Sequence, residues 1–168
     1  MILRVMIVED EDMIRNGLVK TLPWADMGCT VIGSAGDGKS GLEQIIERRP
    51  DVVITDIRMP EMDGFEMLER ALAVYRFHII IFTSYAEFDY AQKAISIHAY
   101  DYLLKPLDEK RLAELLARIR ETEEPQEQLE TPGSFSAEEL LKRLAYTDEY
   151  VETALRRIVA ASDTKLSI

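Results

Sequence analysis

The sequence predicts a parallel α/β sheet with helices on both faces, and three observations predict it. Strand-like and helix-like runs alternate five times, with Gly, Pro or Asp punctuation between most of them. Val52-Val53-Ile54 and Ile79-Ile80-Ile81-Phe82 show no polar alternation, the mark of strands buried on both faces and therefore central. The strand-like runs also stop abruptly at polar residues. Leu3 to Val8 ends at Glu9-Asp10, Val53 to Thr55 at Asp56, Ile79 to Phe82 at Thr83-Ser84, and Tyr100 to Leu104 at Lys105-Pro106. Acids, an amine and a hydroxyl thus fall at the carboxyl ends of strands, the edge of an open parallel sheet where ligands bind.

Strands are expected near residues 2 to 8, 29 to 34, 51 to 55, 78 to 83 and 100 to 104. Between them, apolar residues recur at the helical period: Ile14, Leu18 and Leu22 in the first helix, Leu42, Ile45 and Ile46 in the second, Phe65, Leu68 and Leu72 in the third. Pro23 and Pro50 close the first two. A fourth helix, about 86 to 97, turns Ala91, Ala94 and Ile95 inward. The fifth starts cleanly, because Asp108 can cap its free amides while Leu107 and Leu112 stand at staple spacing.

At 168 residues the chain has room for one sizeable core and an appendage, which reads as residues 1 to 120, an acidic linker over 121 to 135, and a helical tail over 136 to 168. From Glu121 to Ser134 the sequence is rich in Glu, Gln, Pro and Thr, with Leu129 its single apolar residue. In the tail, Ser136-Ala137-Glu138-Glu139 makes a capping box ahead of Leu140, Leu141 and Leu144, and a second amphipathic stretch carries Val151, Ala154, Leu155, Ile158 and Val159. Two such helices cannot bury their stripes alone, so they need the main domain, a second copy or further chain.

The apolar runs are too short to span a bilayer, and the amino terminus reads as a strand instead of a secretion signal, so a cytoplasmic protein without membrane contact is expected. Cys29 is the single cysteine, which excludes an internal disulfide and a thiolate metal site. A net charge of −11 excludes unaided nucleic-acid binding, since residues 1 to 120 carry 20 acids and 15 bases and the remainder 11 and 5. His78 and His98 lack a carboxylate or second His at ligand spacing and receive no role. Trp24 is read as packing over the first helix, and Asp37-Gly38 and Asp63-Gly64 as turn or cap signals.

If the first and third strands are neighbours, Glu9, Asp10 and Asp56 converge, and two unit charges roughly 5 Å apart repel by about 3 kcal/mol at an effective dielectric near 20. A divalent cation offsets that directly. Mg²⁺ suits such a site because it takes hard oxygens, keeps waters and leaves room for a phosphate oxygen. Asp10 and Asp56 are the candidate carboxylate ligands, Glu9 acts through water, and the main-chain carbonyl of Arg58 is a third protein oxygen. Asp56 is then a nucleophile toward an incoming phosphoryl group, with Lys105 pairing the phosphate and the Thr83 hydroxyl reaching another of its oxygens. Movement of Thr83 leaves space into which Tyr102 turns, and a cis Lys105-Pro106 bond suits a turn that aims an amine inward.

In these residues the chain resembles a two-component response-regulator receiver domain over residues 1 to about 120. Glu9-Asp10, Asp56, Thr83, Tyr102 and Lys105-Pro106 match the family's acid pair, phosphoacceptor, hydroxyl residue, aromatic switch residue and Lys-Pro in order and spacing. The resemblance implies a flavodoxin-like fold of five parallel strands in the order 2-1-3-4-5. It also implies phosphoryl transfer from a sensor histidine kinase, Mg²⁺ dependence, self-catalysed hydrolysis without being an enzyme in the ordinary sense, and a face of the fourth helix, fifth strand and fifth helix that changes partners. Glu9 stands where Asp is frequent, and Ser84 where Gly or Ala is frequent. Arg111 and Leu115 do not suit the charge network of winged-helix regulators, so that dimer is not carried over; a homodimer through the named face or the tail is the remaining expectation. Pro23-Trp24 with Met27-Gly28, and Tyr85, Phe88, Tyr90 and Ala91 after Thr83, resemble receivers joined to AraC-type helix-turn-helix output domains, as does Val151 to Ile168 for the opening of such a module. DNA contact would then come only through an output domain.

Two other readings compete. A phosphatase of the haloacid-dehalogenase kind also uses a strand-end Asp nucleophile, but that class wants a second Asp where Arg58 stands. A dimerisation module independent of phosphorylation would keep the acidic pocket without its chemistry. Singly, Asp56 is an ordinary turn residue, Lys105 a solvated lysine, and Glu9 and Asp10 first-turn acids; their order along one chain is what reverses those readings.

Overall fold

The computed structural model describes residues 1–123. Ten elements alternate: β1 (Leu3–Val8), α1 (Asp12–Thr21), β2 (Cys29–Ala35), α2 (Gly38–Arg48), β3 (Val52–Thr55), α3 (Gly64–Leu72), β4 (His78–Thr83), α4 (Phe88–Ser96), β5 (Asp101–Leu104) and α5 (Glu109–Glu123). The strands form one parallel sheet in the order β2-β1-β3-β4-β5, as the resemblance implied. The chain runs outward from β1 to β2, then returns past β1 to β3. That reversal opens a crevice at the carboxyl ends of β1 and β3.

Strand side chains alternate between the two faces, and each parity builds one core layer. Met6, Val8, Val53, Ile79 and Ile81 pack with Ile45, Phe65, Met67, Leu68, Ala91 and Ala94 from α2, α3 and α4. Val5, Ile7, Ile54, Ile80 and Phe82 pack with Leu18 of α1 and with Leu112, Leu115, Leu116 and Ile119 of α5. β3 is buried along its whole length and β4 beyond its first residue, as unalternating sequence requires.

Helix starts follow the acids. Asp37 Oδ1 accepts from Ser40 N at 2.7 Å, Asp63 Oδ1 from Glu66 N at 2.8 Å, and Asp108 Oδ1 from Arg111 N at 3.1 Å. Gly28 sits at φ 70°, and a Cβ there would lie 1.8 Å from Arg120 Nη1, so the α1–β2 turn needs glycine both for its backbone and for the side chain of α5 lying against it. Trp24 is buried and donates its indole N–H to the Leu18 carbonyl at 2.9 Å. Cys29 is a buried hydrophobe whose thiol is pushed up to about 11, burial being the larger influence and the nearby Arg120 charge opposing it.

Two sequence expectations need correction. Ile46 was placed on the inward face of α2, yet it is exposed; Leu42 and Ile45 face the core as expected and Gly41 joins them, because the helix lies on the sheet through a narrower stripe. The fourth helix is shorter than 86 to 97: it spans Phe88–Ser96, because the backbone of Glu87 is extended (φ −83°, ψ 140°) and stands outside the helix as its N-cap. α5 continues through Glu123, into the first residues of the acidic segment. The rest of the linker, the tail over 136 to 168 and a dimer through that tail lie outside the described residues.

Candidate phosphoryl-transfer site

Parallel register decides which side chains meet. Val8 pairs with Thr55, so the next residues, Glu9 and Asp56, leave the sheet side by side, with Asp56 N donating to the Val8 carbonyl at 3.0 Å. Thr83 pairs with Leu104, and Lys105 N donates to the Thr83 carbonyl at 2.8 Å. Strand ends far apart in sequence therefore deliver their first polar residues to one edge.

Asp56 is held from several directions. Its Oδ1 accepts from its neighbour Ile57 N at 2.6 Å, and its carbonyl accepts the Thr55 hydroxyl at 2.8 Å. Gly64, at the start of α3, lies directly behind that carbonyl, and a Cβ there would be 2.1 Å from the Asp56 oxygen. Only the lack of a side chain permits the approach. Gly64 N also bonds the Ile57 carbonyl at 2.7 Å, which closes the loop back on itself.

Glu9, Asp10 and Asp56 each place a carboxylate oxygen within 4.8 Å of the others, Glu9 and Asp56 being buried and Asp10 half-buried. At 4.8 Å each like-charged pair costs about 3.5 kcal/mol at an effective dielectric near 20. Lys105 offsets much of it. Its Nζ donates to Asp56 Oδ2 at 2.9 Å and lies 2.8 Å from Glu9 Oε2, with Glu11 Oε1 further off at 3.8 Å. The Lys105-Pro106 bond that aims this amine inward is cis.

One lysine does not satisfy three acids. Burial, the largest influence, raises the pKa of Glu9; the close Lys105 amine and the bond from the Glu11 amide lower it, and the Asp56 charge raises it again, leaving it above the ordinary carboxylate value. Burial pulls Lys105 down, but its bonds to Glu9 and Asp56 outweigh that and hold its pKa above the ordinary value. Glu9 Oε2 accepts no aligned hydrogen bond despite the nearby amine. A buried, incompletely satisfied oxygen among converging carboxylates fits a small hard cation such as Mg²⁺, which takes oxygen donors and keeps waters.

Thr83 is fully buried at the end of β4, and its hydroxyl accepts from Tyr85 N at a long 3.4 Å. Tyr102 is buried, its hydroxyl donating to the Tyr85 carbonyl, and burial raises its pKa well above the usual phenol value. Thr83 and Tyr102 thus both grip Tyr85.

Sequence reasoning named Arg58 for its main-chain carbonyl alone and missed its side chain. The guanidinium stacks 3.8 Å over the Tyr85 ring, donates to Tyr90 Oη at 2.9 Å and pairs with Glu87 Oε1 at 2.5 Å. It joins the β3–α3 loop to the loop that carries Tyr85. No spacing rule flags partners so far along the chain, although a cation set among Tyr85, Glu87 and Tyr90 is a legible complement once the loops are known to be neighbours.

The same fold recurs in known proteins. Residues 5–117 match the family model described as the response regulator receiver domain. The transcriptional regulatory protein HptR of Staphylococcus aureus (strain N315) is 34% identical over 168 residues, 98% of this chain and 66% of the relative, so the chain spans about two thirds of that protein's length. The receiver domain of AraT, a response regulator from Geobacillus stearothermophilus, superposes with a TM-score of 0.66 at 39% identity, covering 73% of this chain and 95% of that one. A DNA-binding response regulator of the LuxR family from Staphylococcus aureus gives a TM-score of 0.63 at 28% identity, covering 70% and 98%. With the strand order, the acid cluster and a family match over most of its length, the chain belongs to the response regulator receiver domains and is a switch of two-component signalling.

Proposed function

We propose that Asp56 is the phosphoacceptor and that this chain's own residues catalyse the transfer. The observation that carries the reading is the meeting of Glu9, Asp10 and Asp56 within 4.8 Å beside the Lys105 amine. A carboxylate oxygen of Asp56 forms an O–P bond as the P–N bond of a sensor kinase's phosphohistidine breaks, giving an acyl phosphate and freeing the imidazole. Glu9, Asp10, Asp56 and the Arg58 carbonyl would hold Mg²⁺, with Glu9 acting through water. When bound, the ion supplies charge neutralisation at the phosphoryl oxygens.

Lys105 exchanges its contact with Asp56 for one with the new phosphoryl group, and this keeps the amine paired throughout. Thr83 turns its hydroxyl from Tyr85 N to a phosphoryl oxygen. The 3.4 Å bond it gives up is weak, so little opposes the exchange. Tyr85 then moves, and with it the acceptor of the Tyr102 hydroxyl, so charge added at Asp56 is read out along β5 and α4. Water attack on the acyl phosphate resets the switch.

The output belongs to this proposal too. The Pro23-Trp24 and Tyr85 to Ala91 features support an AraC-type helix-turn-helix partner domain, and relatives that are transcriptional regulatory proteins support a transcriptional output. Among the described residues no helix is long and apolar enough to cross a membrane, which supports a cytoplasmic site of action. The face made by α4, β5 and α5 is the proposed surface for a phosphorylation-dependent homodimer.

Incubating the protein with MgCl₂ and acetyl phosphate tests the central step. One hydroxylamine-sensitive phosphoryl adduct by intact mass, absent in Asp56→Asn, is expected. An adduct that persists in Asp56→Asn, or continuous turnover of phosphomonoesters, overturns the assignment. A beryllofluoride-loaded sample that keeps its monomer mass would remove the dimer proposal.

A further inference from the structure

We infer that Arg15 is a positioning residue for the acid pair, acting through the main chain of Glu9; the inference rests on the metal-site reading above. Arg15 lies in the first turns of α1, and its Nη1 donates to the Glu9 carbonyl at 2.7 Å. Its guanidinium also pairs with the exposed Asp12 carboxylate and packs against Gly36, where a Cβ would stand 2.7 Å from Nη1. The preceding peptide is fixed too, because Glu9 N donates to the Ala35 carbonyl at the end of β2 at 3.0 Å. Glu9 is thus clamped between an edge strand and a helix.

The clamp matters because β1 stops at Val8 and its pairing ends with the bond from the Glu9 amide, which leaves the angle of the Glu9 carbonyl and of Asp10 to other contacts. Without Arg15 the Glu9 carbonyl loses its charge-assisted donor, and the turn that aims two carboxylates at Asp56 is free to rotate. A lysine cannot replace it: one ammonium lacks the planar fork that rests on Gly36 while reaching both oxygens. Close approach at Gly36 is what admits the fork.

Charge and position predict opposite results, which makes the role measurable. As a nearby positive charge alone, Arg15 repels a cation, so removing it would tighten Mg²⁺ binding. As a positioning group it strengthens binding, and partners that orient ligands are typically worth about tenfold or more in metal affinity.

Calorimetric titration of MgCl₂ into residues 1–168 of the wild type, Arg15→Met and Arg15→Lys decides it. The inference predicts a Kd about tenfold weaker in Arg15→Met and several-fold weaker in Arg15→Lys, with circular dichroism unchanged. Should Arg15→Met fail to fold, Arg15→Lys carries the test. Equal or tighter binding in Arg15→Met, or wild-type affinity in Arg15→Lys, overturns the positioning role and leaves the site intact. A wild type that binds no Mg²⁺ fails the metal-site reading itself, and this inference with it.

Discussion

At Lys105 two requirements of the proposed transfer meet in one side chain: it neutralises buried carboxylates in the structure, and under the proposal it must stay close enough to pair with a phosphoryl group on Asp56. Its amine sits 2.8 and 2.9 Å from Glu9 and Asp56, both nearly inaccessible to water. Removing one partner of such a cluster leaves uncompensated buried charge, so Lys105→Met should destabilise the metal-free protein by about 3 kcal/mol. Mg²⁺ should restore part of that loss, so urea unfolding with and without MgCl₂ should show a larger metal increment in Lys105→Met than in the wild type. Equal increments would contradict the counter-ion role. Glu9 predicts a pH effect. Its pKa is raised in the folded state, so its contribution to stability is full below its ordinary value of 4.5 and is lost as pH rises through the folded value. In EDTA, the urea midpoint should fall as pH rises above 4.5, and Glu9→Gln should flatten that fall. A slope unchanged by Glu9→Gln would assign the effect to another group.

At the scale of elements, short side chains decide where helices begin and how loops are tied. Asp37 caps α2 through both carboxylate oxygens, to Ser40 N at 2.7 Å and Ser40 Oγ at 2.9 Å. Those bonds hold its pKa below the ordinary 3.8, the backbone bond from Ser40 first, so its stabilisation is present above pH 3.8 and is lost as pH falls below it. Asp37→Ala should cost about 1 kcal/mol at neutral pH and less in acid, measured by thermal unfolding across that range. Arg58 does the corresponding work between loops. Because it links the β3–α3 loop to Tyr85, Glu87 and Tyr90, Arg58→Ala should speed amide hydrogen exchange at Tyr85 to Glu87 without changing exchange in β3. Unchanged exchange in that loop would mean its position is set by Tyr102 alone.

For the molecule as a whole, the site and the core divide the sheet along its length and through its thickness. The acids and Lys105 occupy the carboxyl edge, whereas Leu116 is fully buried beneath the other face, among Ile54, Ile80 and Leu112. Leu116→Ala should therefore cost about 2–5 kcal/mol in unfolding free energy while leaving the Mg²⁺ affinity of the folded protein unchanged. A parallel loss of affinity would show that α5 sets the geometry of the site. At the opposite edge of the sheet, Glu123 at the end of α5 bonds His78 Nε2 at 2.8 Å, and Tyr100 meets the same imidazole edge-on. Sequence spacing hid this pair, because its members lie 45 residues apart.

The amino-acid sequence by itself determined the alternation of strands and helices, the central place of Val52 to Thr55 and Ile79 to Thr83, the capping acids, and the identity of the polar residue at each strand end. These are local properties, set by apolar periodicity and by the conformational preferences of Asp, Gly and Pro. Tertiary structure alone decided that Ile46 faces solvent, that Gly64 presses on the Asp56 carbonyl, that Arg58 stacks on Tyr85, and that Arg15 grips Glu9. Each depends on which strands are neighbours and on how far each is shifted against the next. Pairings of that kind join residues tens of positions apart, and no local preference of either residue encodes them.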